Sequence, residues 1–176
     1  MDNSELSVNI LGYTCSTRCI VAFVLIVAAL MRIWGINYGL PYEGITYNQL
    51  TYEESQEVHR AFKLAAGEYA WVFGKGGLYF LLFIEAGLYY VFSLAVGWVS
   101  SPEEFAVQIL QNRTPIFVMG RLTNVLLGLL TCLVIYALGR RIWGNKVGLT
   151  ALVVGAFAYL HGIFSTVINV DIGMVL

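Results

Sequence analysis

The sequence predicts an all-α integral membrane protein, from its composition, its low charge and the length of its apolar runs. Of the 176 residues, 59% are hydrophobic and only 12% are charged, and the mean hydropathy is +0.74. Soluble globular domains are nearer half apolar and about a quarter charged. Several apolar runs approach the length of about 20 residues that a helix needs to cross a bilayer. We therefore expect helices that lie in lipid.

Charge and cysteine content argue against two classes of function. The net charge of −1 gives no electrostatic basis for binding nucleic acid. Cys15, Cys19 and Cys132 lie in or beside apolar runs, and no neighbouring His or Cys completes a zinc-binding spacing. We interpret these cysteines as packing residues.

The two ends of the sequence carry further expectations. Arg18 is the one positive charge before the first apolar run, and no small-residue cleavage site follows, so we expect a retained signal anchor. The stretch "INVDIGMVL" stops inside an apolar run. We therefore expect the N-terminal part of a longer polytopic protein, with a polar tail over residues 1–17 and a membrane domain over residues 18–176.

The predicted spans lie at about residues 19–36, 116–138 and 147–170. Arg32 stands near the end of the first span, where a long side chain can reach the interface. Arg121 lies in the first turns of the next span, where it either pairs with a loop carboxylate or reaches the interface. Three glycines spaced seven apart would let helices approach closely in the last span: Gly148, Gly155 and Gly162.

The basic hinge Arg140, Arg141 and Lys146 is predicted to be cytoplasmic by the positive-inside rule. If every apolar run crossed from a cytoplasmic N-terminus, this hinge would be external. Either the N-terminus is external or one run does not cross. The run at residues 77–99 is the best candidate, because Glu85 costs about 3 kcal/mol at a bilayer centre and its aromatics suit an interfacial or re-entrant helix. Residues 37–115 then form one external loop.

The acidic stretch "TYEESQEVHRAFKLAAG" predicts an amphipathic helix at the membrane surface. Thr51 and Glu54 fit a capping box, and an apolar stripe at helical spacing follows: Val58, Ala61, Phe62 and Ala65. Two interpretations of the carboxylates stay open. They cap and polarise the helix start, or they form a cluster that coordinates a divalent cation or serves as a general base.

The stretches "RIWGINYGLPY" and "YEESQEVHRAFKL" resemble the first external loop of GT-C fold glycosyltransferases. The similar proteins are relatives of the dolichyl-phosphate-mannose–protein mannosyltransferases and the lipid A aminoarabinose transferases. In that superfamily an Asp-Glu pair opens the loop helix, and here Glu53 and Glu54 stand at those positions. "FGKGGLYFLLF" is similar to a Phe-x-Lys-Pro-Pro-Leu-Tyr stretch, with Lys75 at the lysine. "VMGRLTNV" and "LGRRIWGNKVGL" follow a Gly-Arg-Leu span and its hinge, and Asp171 matches an acidic residue that begins the second external loop.

The resemblance covers about residues 30–176 and implies an inverting transfer of a hexose or pentose. The donor would be a polyprenyl-phosphate-linked sugar and the acceptor a hydroxyl of a protein, lipid or glycan. The catalytic residues would be Glu53, Glu54 and Asp171: Glu53 would be the base, and Asp171 would orient the acceptor or bind a cation with Glu53. No organic cofactor is implied, and a divalent metal is optional.

The same resemblance assigns the phosphate of the donor to Lys75, Arg60 and Arg121. It also places the protein in a prokaryotic plasma membrane or the endoplasmic reticulum. Two departures from the superfamily pattern stand out: Glu replaces Asp at residue 53, and Gly76-Gly77 replaces Pro-Pro. The alternative function is a non-catalytic helical membrane subunit or transporter-like protein whose acidic external loop binds ions or a partner.

Overall fold

The computed structural model describes residues 7–10, 13–40, 52–68, 76–169 and 171–172. Helices dominate it, which confirms the all-α prediction. The elements in chain order are β1 Ser7–Ile10, β2 Tyr13–Ser16, α1 Thr17–Trp34, α2 Tyr52–Ala65, α3 Gly76–Val96, α4 Pro102–Gln111, α5 Thr114–Trp143, α6 Asn145–Phe157 and α7 Tyr159–Phe164.

A short antiparallel ribbon occupies the region predicted as a polar tail. Strands β1 and β2 pair with Ser7 opposite Ser16 and Ile10 opposite Tyr13. Thr17, the first residue of α1, follows directly, so the helix begins two residues before the predicted span. The predicted tail therefore contains a pair of β-strands.

Within the described residues, three helices are long and apolar enough to cross a membrane: α1, residues Gly77–Val96 within α3, and α5. Large hydrophobic side chains on these helices face outward, among them Leu30, Leu88 and Leu126. Side chains of this size on the outer face of a helix are stable in contact with lipid chains. The chain is therefore a membrane protein.

Helix α5 is the axis of a three-part bundle with α1 and the segment at residues 145–169. At one end of the bundle, the Asn145 amide donates to the Thr17 hydroxyl at 2.9 Å. At the other end, Arg121 donates to the carbonyl of Ile36 at 2.6 Å. These two contacts show that α1 runs antiparallel to α5.

The segment after α5 returns along the same helix. Gly148 contacts Gly139 near the hinge, and Ile168 contacts Gly120 near the opposite end. The stretch of α5 between those two glycines is about 28 Å long at about 1.5 Å per residue. Residues 148–168 therefore cover nearly the thickness of a bilayer core, which is about 30 Å, although α6 alone does not.

The segment predicted as a span over residues 147–170 is not one continuous helix. Helix α6 ends at Phe157, and Ala158 adopts an extended conformation, with φ −60° and ψ 123°, before α7 begins. The Ala156 carbonyl accepts an N–H from the Arg32 guanidinium at 3.1 Å. A break in a lipid-embedded helix is tolerated where other groups bond its backbone, and Arg32 supplies such a bond.

The predicted glycine stripe brings two backbones together at only one of its three positions. A Cβ on Gly148 would lie 2.8 Å from the Arg140 backbone nitrogen, so α5 and α6 touch there. A Cβ on Gly155 would make an ordinary contact, and one on Gly162 would meet no atom within 4 Å. Among these three glycines, close backbone packing is therefore confined to Gly148 at the hinge.

A second apolar cluster joins α2, α3 and α4 to the first turns of α5. Its buried members include Val58, Ala61, Leu82, Phe105 and Phe117. The rings of Tyr89 and Tyr90 lie 5.6 and 5.2 Å from that of Phe105. These helices form a layer across the end of the bundle at which α5 begins.

Side chains at the start of α4 cap the helix. Ser101 accepts the Glu104 backbone N–H at 3.2 Å, and the Glu104 carboxylate accepts the Ser100 N–H at 2.7 Å. Pro102 occupies the first turn, where its missing N–H leaves no helical bond unmade. The cap fixes where the chain turns from α3 into α4.

Candidate functional site

A buried ion pair joins α2 to α5. The Arg121 Nε donates to Glu54 Oε1 at 2.9 Å, and its second terminal nitrogen donates to Glu54 Oε2 at 2.8 Å. The exposed fractions of the two side chains are 1% and 0%. This two-pronged geometry is the strongest form of an Arg–carboxylate contact. It confirms the alternative that Arg121 pairs with a loop carboxylate.

Backbone groups complete the bonding of this pair. The remaining Arg121 nitrogen donates to the carbonyls of Ile36 at 2.6 Å and Tyr38 at 2.8 Å. The Glu54 carboxylate also accepts the backbone N–H of Ile168 at 2.7 Å. We call this set of five residues the Arg121 junction. It satisfies the condition under which a buried ion pair is tolerated, because further hydrogen bonds offset the lost hydration.

The junction connects four parts of the chain at one end of the bundle. They are the end of α1, the first turn of α2, the third turn of α5 and the segment after α7. Glu54 also lies in the first turn of α2, where a negative charge stabilises the helix dipole. Its proposed capping partner Thr51 lies outside the described residues.

Asn124, which the sequence analysis did not single out, extends the junction by one turn of α5. Its side-chain amide donates to the carbonyls of Val167 at 2.5 Å and Asn169 at 3.0 Å. Asn124 follows Arg121 by three residues, so the two side chains share a helix face. A polar side chain one turn after Arg121 within an apolar run was the sequence signal for it.

Two exposed carboxylates flank the junction. Glu53 precedes Glu54, and Asp171 follows Ile168 by three residues. The Asp171 backbone N–H donates to the Asn169 side chain at 2.7 Å, which fixes the local turn. The hydrogen bond between Glu54 and Ile168 thus brings both acidic segments to the same end of the bundle.

The three carboxylates predicted at the site differ in burial and in hydrogen bonding. Glu54 is fully buried, and both of its oxygens bond to Arg121. Its carboxylate is therefore committed to a buried ion pair, which differs from the catalytic role that the resemblance implies. Glu53 and Asp171 are exposed and remain the candidates for contact with a substrate or cation.

Of the residues predicted to bind phosphate, the two arginines are already bonded within the protein. Arg121 is committed to the junction, and Arg60 forms an ion pair with Glu57 and a 3.2 Å hydrogen bond to Gln56. Lys75 lies outside the described residues. Neither described arginine of this set presents an uncommitted guanidinium.

The possible metal site has few ligands in the part of the chain that the structure describes. No group of three or more His, Cys, Asp or Glu side chains is placed there to hold a metal ion. Divalent cations such as Ca²⁺ take six to eight oxygen ligands. Glu53 and Asp171 alone supply fewer, so a cation would need further oxygens from substrate or solvent.

Arg32 departs from its predicted behaviour. Its side chain is 3% exposed and turns into the bundle, where it donates to the Ser165 hydroxyl at 2.8 Å and to the Ala28 carbonyl at 3.0 Å. The predicted outward reach of the Arg32 side chain is wrong, because its guanidinium donates to acceptors inside the bundle.

Glu85 is tied to the first half of α5 by a hydrogen bond from the Thr123 hydroxyl. The Leu82 side chain, one turn earlier, contacts Gly120. These contacts fix the first half of α3 against α5 beside the junction, and the tyrosine contacts fix its second half against α4.

No protein-family model, curated protein or solved structure matches this chain. The likeness to GT-C glycosyltransferases therefore rests on the motifs themselves.

Proposed function

We propose that this chain carries part of a glycosyltransferase that moves a sugar from a polyprenyl-phosphate donor to an acceptor hydroxyl at the external or lumenal membrane face. The observation that supports this proposal is the Arg121 junction. It brings the exposed residues Glu53 and Asp171, both of which match acidic positions of the superfamily, to one end of the bundle.

The proposed chemistry is a single inverting displacement. A Glu53 carboxylate oxygen accepts the proton of the acceptor hydroxyl as that oxygen forms a bond to the anomeric carbon. The bond from this carbon to the phosphate oxygen breaks, and polyprenyl phosphate leaves with the electron pair. Asp171 orients the acceptor or a bound cation. Glu54 is a positioning residue without substrate contact. Its ion pair with Arg121 fixes the helix turn that carries Glu53.

The orientation of the bundle supports an external site. Arg140, Arg141 and Lys146 lie at or beside the hinge between α5 and α6, and Arg18 lies at the start of α1, which is the same end of the bundle. Four cations at one end favour a cytoplasmic location for that end. The Arg121 junction, at the opposite end, is then external.

Helix α3 is proposed to lie along the external face without crossing. Its principal contacts with other described helices are with α2, α4 and α5. A crossing α3 would place Tyr89 and Tyr90 beside the far half of α5, but both pack against Phe105 of α4. The proposed crossings are α1, α5 and residues 145–169, and residues 37–115 form the external loop.

Labelling of single cysteines in intact cells tests this topology, in a background where the native cysteines are replaced by alanine. We expect Glu103→Cys to react with an impermeant maleimide from the external side, and Arg141→Cys to react only after the membrane is opened. The reverse pattern would place the site residues on the wrong face. Labelling of both positions from outside would contradict the crossing of α5, which lies between them.

A transfer assay tests the function. Membranes that contain the full chain are incubated with a synthetic short-chain polyprenyl-phosphate hexose or pentose, and release of polyprenyl phosphate is measured with and without acceptor extracts. We expect release above that of membranes without the chain. Absence of release with both sugar classes, from correctly inserted protein, would overturn the proposal.

The second candidate function is a non-catalytic membrane subunit. The observation that favours it is the complete burial of Glu54 and Arg121, which places both residues inside the fold. In that case the exposed carboxylates are part of a binding surface, and their neutralisation would not change the release of polyprenyl phosphate.

A further inference from the structure

We propose that the cavity at the break between α6 and α7 binds the phosphate group of a membrane lipid, and that Arg32 is the residue that binds the anion. The inference concerns binding alone. It stands whether or not the chain transfers a sugar, and it assigns a lipid phosphate to Arg32, a residue to which the resemblance gave no such role.

The cavity has the size of a headgroup site. Its volume is about 270 Å³, and its lining includes Arg32, Phe157, Tyr159 and Gly162. Pockets for small molecules begin at about 300 Å³, so the space suits the polar head of a lipid while the chains stay in the bilayer. The break at Ala158 separates α6 from α7 beside this space.

Arg32 brings a buried positive charge to the cavity. Its three hydrogen bonds go to neutral oxygens of Ala28, Ala156 and Ser165. A guanidinium has five N–H groups, so two remain beyond these bonds. Among the residues that the structure describes, no carboxylate lies within ion-pair distance of Arg32.

Two other buried or partly buried arginines have a carboxylate partner in the described part of the chain, unlike Arg32. Arg121 and Arg60 each bind a glutamate, Glu54 and Glu57 respectively. A buried charge without a counter-ion is costly in an apolar environment. An anionic ligand at Arg32 would remove that cost, and the planar guanidinium fork matches the geometry of phosphate oxygens.

The location favours a lipid over a soluble anion. Arg32 lies in the last turn of α1, two residues before Trp34, which is 94% exposed. Exposed Trp and Tyr side chains mark the headgroup level of a bilayer. Around the cavity, large apolar side chains face outward, as lipid chains require: Met31, Phe157, Tyr159 and Ile163.

A binding measurement in detergent on the intact protein tests the inference. The probe is farnesyl phosphate, an isoprenoid monophosphate, with farnesol as the neutral control and inorganic phosphate as the soluble anion. We expect saturable binding of farnesyl phosphate that is at least about tenfold tighter than that of either control, as for a hydrogen-bonded charge pair.

Substitutions at two positions of the site, with one control, separate ligand binding from the stability of the fold. Arg32→Gln is expected to weaken farnesyl phosphate binding about tenfold or more, and Arg32→Lys less. Gly162→Leu keeps Arg32 and its bonds but fills open space at the cavity wall, so it should block binding without unfolding. Gly87→Leu is the matched control, because Gly87 is also helical and open but lies on α3.

Three results would overturn the inference. Equal affinity for farnesyl phosphate and farnesol would show that the phosphate is not recognised. Equal affinity for farnesyl phosphate and inorganic phosphate would indicate a soluble-anion site. Wild-type affinity in a folded Gly162→Leu variant would place the lipid elsewhere.

Discussion

Replacement of Arg121 by methionine is expected to destabilise the protein by about 3–5 kcal/mol, because it leaves the Glu54 carboxylate buried without its partner. The same change removes the donor to the carbonyls of Ile36 and Tyr38. Methionine keeps most of the apolar stem, so the loss comes from the charged head. The measurement is the unfolding equilibrium in mixed micelles of increasing SDS fraction.

A matched control and a double variant separate the effect of breaking the ion pair from the effect of removing any positive charge. Arg141→Met changes an exposed guanidinium and should alter stability by only about 0.5 kcal/mol. In the double variant Arg121→Met with Glu54→Gln, the buried charge is gone, so the total loss should be less than the sum of the single losses. Strict additivity would mean that the pair does not couple α2 to α5.

The Glu53→Gln variant is expected to lower the rate of sugar transfer by about 10²- to 10⁴-fold, the usual contribution of a general base. The amide keeps the size of the side chain but does not accept the acceptor's proton. Because Glu53 is exposed, membrane insertion and the SDS unfolding midpoint should match those of the wild type. The measurement is initial-rate release of polyprenyl phosphate under saturating donor.

Two companions make this result interpretable. Glu68→Gln neutralises an exposed carboxylate in the turn after α2, which makes only a 3.8 Å contact with Lys63, and it should leave the rate unchanged. Glu53→Asp introduces the residue that the resembling enzymes carry at this position and should retain measurable transfer. An active, folded Glu53→Gln variant would remove Glu53 from the mechanism and favour the non-catalytic interpretation.

Local patterns were sufficient to predict most helices. The apolar runs predicted α1, α3 and α5, and the spacing of Val58 and Ala61 predicted the buried face of α2. The capping residues of α4 were also readable, because donor and acceptor lie within a few positions of each other. Helix periodicity and caps are short-range properties, so the sequence displays them directly.

The polar contacts inside the bundle were not predictable in the same way. Glu54 and Arg121 are separated by 67 positions, and Arg32 and Ser165 by 133. Each residue alone fits a local role, as a helix cap or an interface anchor. Only the folded chain shows which distant acceptor bonds each of them. The break at Ala158 was not predicted for the same reason, since the bond from Arg32 beside it also joins distant residues.

The connection between Glu54 and Ile168 has a consequence for biogenesis. The ribosome completes α2, α3 and α4 long before it reaches Ile168, 114 positions after Glu54. During that interval the Glu54 carboxylate lacks one of its final donors, and α2 lacks its hydrogen bond to the segment after α7. The final packing of α2 therefore depends on correct placement of that later segment, and a folding defect there would also disturb α2.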